Sequence, residues 1–156
     1  YRNHGLIERD NAEIFGVNSR MDSINAAVIR MRLKKLDSVI SRRKSNINFY
    51  RENIKTDRFK IISDKKDEKN TYAMFVCIAD NRNSLKDHLM KNGVESLIYY
   101  GNPLHKHSAS KKLNMDYSDL APSEQICDSV LSIPFHQHLK KDELKYISDL
   151  INNFYS

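Results

Sequence analysis

The sequence predicts an α+β fold: one long N-terminal helix followed by a small, mostly antiparallel sheet covered by helices. Three observations carry that expectation. Residues 17–92 contain neither Gly nor Pro, and apolar residues recur at helical spacing from Ile24 to Ile54. Tyr72–Ile78 is nearly all apolar, as in a strand buried on both faces. The later elements are joined by connections too few and too short for a doubly wound parallel sheet.

Residues 1–18 are polar, carry Gly5 and Gly16, and show no sustained periodicity, so they read as a loop with a short turn. Ser19 and Asp22 match the S-x-x-D form of a capping box, and Ile24, Ala27, Val28 and Met31 follow on one helical face. The stripe continues through Leu33, Leu36 and Ile40, skips Arg42-Arg43-Lys44, and resumes at Ile47, Tyr50 and Ile54. A helix bent near Asp37–Ser41 and ending by Thr56-Asp57 is the economical reading. Strands are expected at 59–62 and 72–78, with a charged loop at 63–70 between them. Asn83 or Ser84 caps a helix carrying Leu85, Leu89 and Met90 and stopped by Gly93. Val94–Tyr100 is another strand candidate, broken by Gly101-Asn102-Pro103. After a basic loop, Pro122 suits the first turn of a helix over Ser123–Leu131, and Ser132-Ile133-Pro134 reads as a brief edge strand. Residues 141–154 place Leu144, Ile147, Leu150, Ile151 and Phe154 on one stripe that should pack against the sheet.

A length of 156 residues supports one domain with a proper core. The 26 Lys+Arg against 20 Asp+Glu give a formal charge of +6, spread along the chain and so an argument for solubility first. The densest cluster, Arg42-Arg43-Lys44, reads as a solvated helix face, and nucleic-acid binding is not favoured. Cys77 and Cys127 are far apart, lack C-x-x-C spacing and lie in apolar stretches, which suits reduced core thiols and a cytoplasmic protein. No segment approaches the roughly 18 apolar residues of a membrane span, so no membrane partner is expected. The chain opens on Tyr1-Arg2-Asn3-His4-Gly5 without an initiator Met, and reads as a fragment or processed chain.

Chemistry-bearing patterns are sparse. His105-Lys106-His107 and His136-Gln137-His138 form H-x-H pairs whose alternate side chains could share a metal, but neither has a third ligand at a recognised spacing, and no metal is expected. Neither cysteine has a nucleophile's neighbours, and the 4 glycines build no phosphate-cradling loop. The opening stretch F-G-V-N-S-R-M-D is the exception. Asn18 offers an amide donor, Arg20 a guanidinium fork, and a following helix its free N–H groups, all suited to an anion. The residues alone favour the plainer reading, Asn18 in a turn with Ser19 as a cap.

The ordered motifs carry a resemblance. His4-Gly5, then G-x-N-x-R-M-D at Gly16–Asp22, Ala26-Ala27, L-x-x-L-D at Leu33–Asp37, Tyr100-Gly101-Asn102-Pro103-Leu104-His105, Ser123-Glu124, and Leu131-Ser132-Ile133-Pro134-Phe135-His136 occur in one order over essentially all 156 residues. Together they resemble the DegT/DnrJ/EryC1/StrS family of sugar aminotransferases. The resemblance implies the small C-terminal domain of a fold-type I enzyme that uses pyridoxal 5'-phosphate to move an amino group, usually from glutamate, onto a nucleotide-linked keto-sugar. It implies residues 1–18 as a loop linking to a missing large cofactor domain and 19–156 as the small domain. It also implies a homodimer whose sites are shared between subunits, in bacterial polysaccharide or antibiotic-sugar biosynthesis.

In that family the Schiff-base lysine and the acid beneath the pyridine nitrogen precede the H-G motif, so no residue here takes a catalytic role and the chain alone is expected to be inactive. By the same resemblance Asn18 reaches the cofactor phosphate of a neighbouring subunit, and Arg20, Tyr100 and His105 lie on the substrate side. The runner-up reading is a non-catalytic basic module that binds nucleic acid or an acidic partner through the 34–44 face. A regulatory homologue without activity is a further alternative.

Overall fold

The computed structural model describes residues 3–8, 11–113 and 115–156. Two compact units divide the chain, one running to Ser38 and the other comprising Val39–Ser156, whereas the sequence reading divides it at 18/19.

In the first unit the segment expected to be a loop forms a small antiparallel ribbon, β1 (Leu6–Glu8) paired with β2 (Asn11–Ala12). An isolated bridge between Asn3 and Asn18 closes its base, and His4 N–H donates to the Val17 carbonyl at 3.2 Å. Gly5 is what permits the closure. Its φ is +74°, and a Cβ there would lie 1.8 Å from the Ile14 carbonyl oxygen. Periodicity could not reveal this ribbon, because its strands span two or three residues and are exposed on both faces.

Helix α1 (Ser23–Leu33) starts later than the sequence suggests. Asp22, not Ser19, is the cap: its Oδ1 accepts from Asn25 N–H at 2.8 Å, and its Oδ2 from the Asn25 amide at 2.6 Å. A carboxylate in this position satisfies a free amide and also suits the positive end of the helix, so it wins over the more distant serine. The expected bend near 37–41 is instead a break at Lys34-Lys35 before α2 (Leu36–Asn53). There Lys35 N–H donates to the Arg32 carbonyl, a tightened turn, and the Ser38 hydroxyl takes the Lys35 carbonyl at 2.7 Å.

The second unit is built on a three-stranded antiparallel sheet in the order β3 (Phe59–Ile61), β4 (Cys77–Ala79), β5 (Val130–Leu131). Leu97 and Ser132 exchange backbone bonds of 2.9 and 2.8 Å and extend the edge beyond β5. Helices α3 (Arg82–Lys91), α4 (Ser108–Lys111), α5 (Ala121–Ser129) and α6 (Lys141–Tyr155) complete the unit, with α3 packed on α6. The expected apolar stripe of α6 is buried through Leu144, Ile147, Leu150 and Ile151, and meets Ile47, Tyr50, Phe75, Leu85, Leu89 and Leu131 in one core.

The strands are shorter than expected for a definite reason. Within 72–78 only Cys77 and Ile78 join a ladder, because side chains have taken the carbonyls upstream. Arg43 Nη1 donates to the Tyr72 carbonyl at 3.0 Å, and the Ser132 hydroxyl to the Phe75 carbonyl at 2.6 Å. Tyr72 itself has φ +50°, incompatible with a continuous strand. Likewise only Leu97 of the expected 94–100 strand pairs, and β5 lies just before the expected 132–134 strand.

What holds this sheet edge is a polar row along α2. Arg42, Asn46 and Tyr50, four residues apart, donate respectively to the carbonyls of Leu139, His136 and Pro134 at 3.3, 2.8 and 2.7 Å. Arg43 adds a bond to the Gln137 side chain at 3.1 Å and lies over the Phe135 ring. Residues at i, i+4 and i+8 share a helix face, so one row fastens an irregular segment that has no ladder of its own. At its far end α2 is fastened to α6: Asn152 donates to the Asn53 carbonyl at 2.9 Å and accepts from Lys55 N–H at 2.8 Å.

Tyr50 is fully buried, so Tyr50→Phe should keep the packing and lose only the bond to Pro134, at a cost of about 1 kcal/mol. Ile47→Ala, which empties a fully buried site, should cost about 2–5 kcal/mol. Urea denaturation of both variants, with an unchanged m-value, checks this ordering.

Candidate functional site

In the first unit the ribbon presents Asn18 and Arg20. The backbone of Asn18 is fixed by its bridge to Asn3. Its side chain is exposed and has no hydrogen-bond partner among the described residues, so both amide hydrogens face solvent. Arg20 Nη2 donates to Asn3 Oδ1 at 3.3 Å, and one limb of its fork therefore braces the ribbon. Because α1 begins only at Ser23, these residues stand several positions before the helix rather than on its first turn. The anion-suited group is thus a braced polar loop, not a helix terminus.

In the second unit Tyr100 and His105 flank the Gly101-Asn102-Pro103 bend. Tyr100 is exposed, and among the described residues its hydroxyl has only a long contact of 3.7 Å to Met74 Sδ. His105 lies in a tight 3₁₀ turn, Leu104–Lys106, with its side chain just 8% exposed and its ring 5.6 Å from that of Tyr117. Its Nε2 is 2.8 Å from Glu124 Oε1, while Lys106 Nζ is 2.6 Å from Glu124 Oε2. Two further bonds stiffen the turn: Ser110 Oγ to the Leu104 carbonyl at 2.7 Å, and Tyr117 hydroxyl to the Ser110 carbonyl at 3.0 Å. Hydrogen bonds from these two neighbours hold the Glu124 carboxyl below its ordinary range, Lys106 contributing most and His105 next.

This arrangement matches known proteins over nearly its whole length. The model of the DegT/DnrJ/EryC1/StrS aminotransferase family matches residues 1–152. The chain belongs to that family. It is 29% identical over 147 residues to the erythromycin biosynthesis sensory transduction protein EryC1 of Saccharopolyspora erythraea, covering 94% of this chain and 40% of that protein. It is 27% identical to the dTDP-3-amino-3,6-dideoxy-alpha-D-galactopyranose transaminase of Aneurinibacillus thermoaerophilus, over 98% of this chain and 42% of the relative. Among solved structures, a DegT DnrJ EryC1 StrS aminotransferase from Brucella abortus superposes with a TM-score of 0.87 at 29% identity, over 98% of this chain and 41% of that one. The chain thus spans about two fifths of the length of these relatives.

Within this family member the other sequence candidates have local employment. Of the triplet expected on a solvated face, Arg42 and Lys44 are exposed, although Arg42 also donates to the Leu139 carbonyl, whereas Arg43 is half-buried and its fork is spent on Gln137 and Tyr72. His107 Nε2 lies 3.3 Å from the Asn102 carbonyl. Gln137 Nε2 is 2.9 Å from His138 Nε2, and His138 N–H donates to His136 Nδ1. Among the described residues no three His, Cys, Asp or Glu side chains group as metal ligands, and no helix is long and apolar enough to cross a membrane. Cys77 is buried in the core, its thiol pushed up by desolvation, and Cys127 is half-buried.

A groove of about 720 Å³ runs between 93–99 and the 132–147 segment, with Val94, Leu97, Tyr99, Phe135 and Tyr146 on its walls. Tyr100 and His105 do not line it. The sequence reading also missed the part played by Glu124. Its signal, Ser123-Glu124, was visible, but its partners stand 18 and 19 residues earlier, beyond any local spacing rule.

A depressed carboxylate pKa gives a definite pH dependence. The Glu124 contacts should be intact above the ordinary Glu range and released as pH falls through the lowered folded-state value. A carbon-13 titration of the Glu124 carboxyl should show that midpoint below those of unpaired glutamates, and a midpoint at or above them contradicts the geometry.

Proposed function

We propose that this chain is the C-terminal part of a pyridoxal-5'-phosphate-dependent aminotransferase that moves an amino group from an amino acid, with glutamate as the expected donor, onto a keto-sugar linked to a nucleotide. Family membership over residues 1–152 supports the reading, as does a transaminase relative whose name specifies a dTDP-linked amino sugar. The observation that carries it is Asn18: an exposed amide on a backbone fixed by the Asn3 bridge, with no competing partner among the described residues. An amide N–H presented in this way fits one phosphate oxygen, because its backbone is already placed and no bond must be broken to free the donor.

Bound pyridoxal phosphate supplies the electron sink that makes amino transfer possible. Asn18 would hold its phosphate, reaching across to a neighbouring subunit of a homodimer. Arg20 braces that loop through Asn3 and keeps the rest of its fork for an anionic group. Tyr100 offers a hydroxyl to the substrate, and His105 orients it from the stiffened turn. The lysine that holds the cofactor belongs to the portion of the relatives' length that these 156 residues do not match, so the chain alone lacks transaminase activity. Cytoplasmic biosynthesis of modified sugars is the setting that this chemistry suits.

In the full-length parent, Asn18→Ala should weaken pyridoxal-phosphate binding by about tenfold to a hundredfold, the worth of a hydrogen bond to a charged group. Asn18→Asp should weaken it further through charge repulsion. Cofactor titrations followed by absorbance check both. The isolated chain should give no stoichiometric cofactor adduct after borohydride, and a single modified lysine in it would contradict the reading.

A further inference from the structure

Glu124 lies in the first turn of α5, where the helix end favours an anion, and it binds two basic side chains of consecutive residues. An ionised carboxylate only accepts hydrogen bonds, and the Lys106 ammonium only donates. The contact of 2.8 Å between His105 Nε2 and Glu124 Oε1 therefore requires the proton to sit on Nε2. In the neutral form of the ring the lone pair then lies on Nδ1, which has no hydrogen-bond partner among the described residues. With its side chain 8% exposed and Tyr117 against its face, the ring is held in place.

We propose that Glu124 is a positioning residue that fixes His105 as its Nε2–H tautomer, so that Nδ1 is offered as an acceptor to a neutral hydroxyl or amide N–H of the ligand. This rests on the substrate-side placement of His105 proposed above and names the group it recognises. The same geometry argues against a phosphate here. The two basic side chains of His105-Lys106 both pair with one carboxylate. A phosphate would meet an acceptor nitrogen and an ammonium already paired. The sugar portion of a nucleotide-linked substrate, rich in hydroxyl donors, has the complementary chemistry.

Long-range nitrogen–proton spectra of the labelled 156-residue chain near neutral pH test the proposal. His105 should show a single Nε2–H tautomer with a downfield, slowly exchanging Nε2 proton. Glu124→Ala should abolish that signal and leave a mixture of tautomers, while Glu124→Gln, whose side-chain carbonyl still accepts, should retain it. A wild-type Nδ1–H tautomer, a ring protonated on both nitrogens near neutral pH, or an Ala variant indistinguishable from wild type would overturn the proposal. Should the Ala variant fail to fold, the wild-type tautomer and the Gln variant still decide the question. Titration with inorganic pyrophosphate should leave the His105 ring and the Lys106 ammonium signals unmoved, and a saturable shift of both would overturn the assignment to a neutral group. None of these measurements involves cofactor or amino transfer, so their outcome and that of the aminotransferase reading are separable.

Discussion

The row formed by Arg42, Asn46 and Tyr50 along α2 is the constraint on which the second unit depends. Segment 134–139 follows the sheet without joining it, so its carbonyls need donors from elsewhere. Three side chains at helical spacing supply them, and two of the three come from residues buried to 2% or less, Asn46 and Tyr50. In a desolvated setting such bonds are expensive to leave unmade, which makes the segment's path unique rather than merely favourable. The stack of Tyr50 on Phe75, and the tilted contact of Phe75 with Phe135, tie the same row into the apolar core.

A second consequence follows for the arginines. Burying part of a guanidinium is tolerable when its fork ends on carbonyls, and Arg43 serves Tyr72 and Gln137 from one position. Composition alone would leave both guanidinium groups without protein partners. Their actual use as donors to irregular backbone shows why a basic triplet is weak evidence for a binding surface. The same logic recurs in the 104–124 region, where His105 and Lys106 serve a carboxylate rather than an external anion.

Much of the fold was legible where one face of an element is apolar and long. The α6 stripe, the stop of α3 before Gly93 and the Pro122 start of α5 follow from periodicity and capping chemistry. The ribbon at 3–18 was not, since Gly5 works through one close approach to Ile14 and not through a pattern. Strand lengths were also misjudged, because Tyr72 and Phe75 look like strand residues until Arg43 and Ser132 claim their carbonyls. Of the candidate site, the residue types at Asn18, Arg20, Tyr100 and His105 were visible in the ordered motifs. The Asn3 brace and the Glu124 clasp were not, since each joins residues 17 to 19 positions apart through geometry that only the folded chain supplies.

The central physical claim is that α2's polar row, and not sheet pairing, holds the 134–139 segment and through it the sheet edge. Native-state hydrogen exchange on the chain and on Asn46→Ala tests it most directly. The account predicts that the amides of Leu139, Leu97 and Ser132 lose protection together in the variant, while those of β3 and β4 keep theirs. Protection at Leu97 and Ser132 unchanged from the parent chain would contradict it.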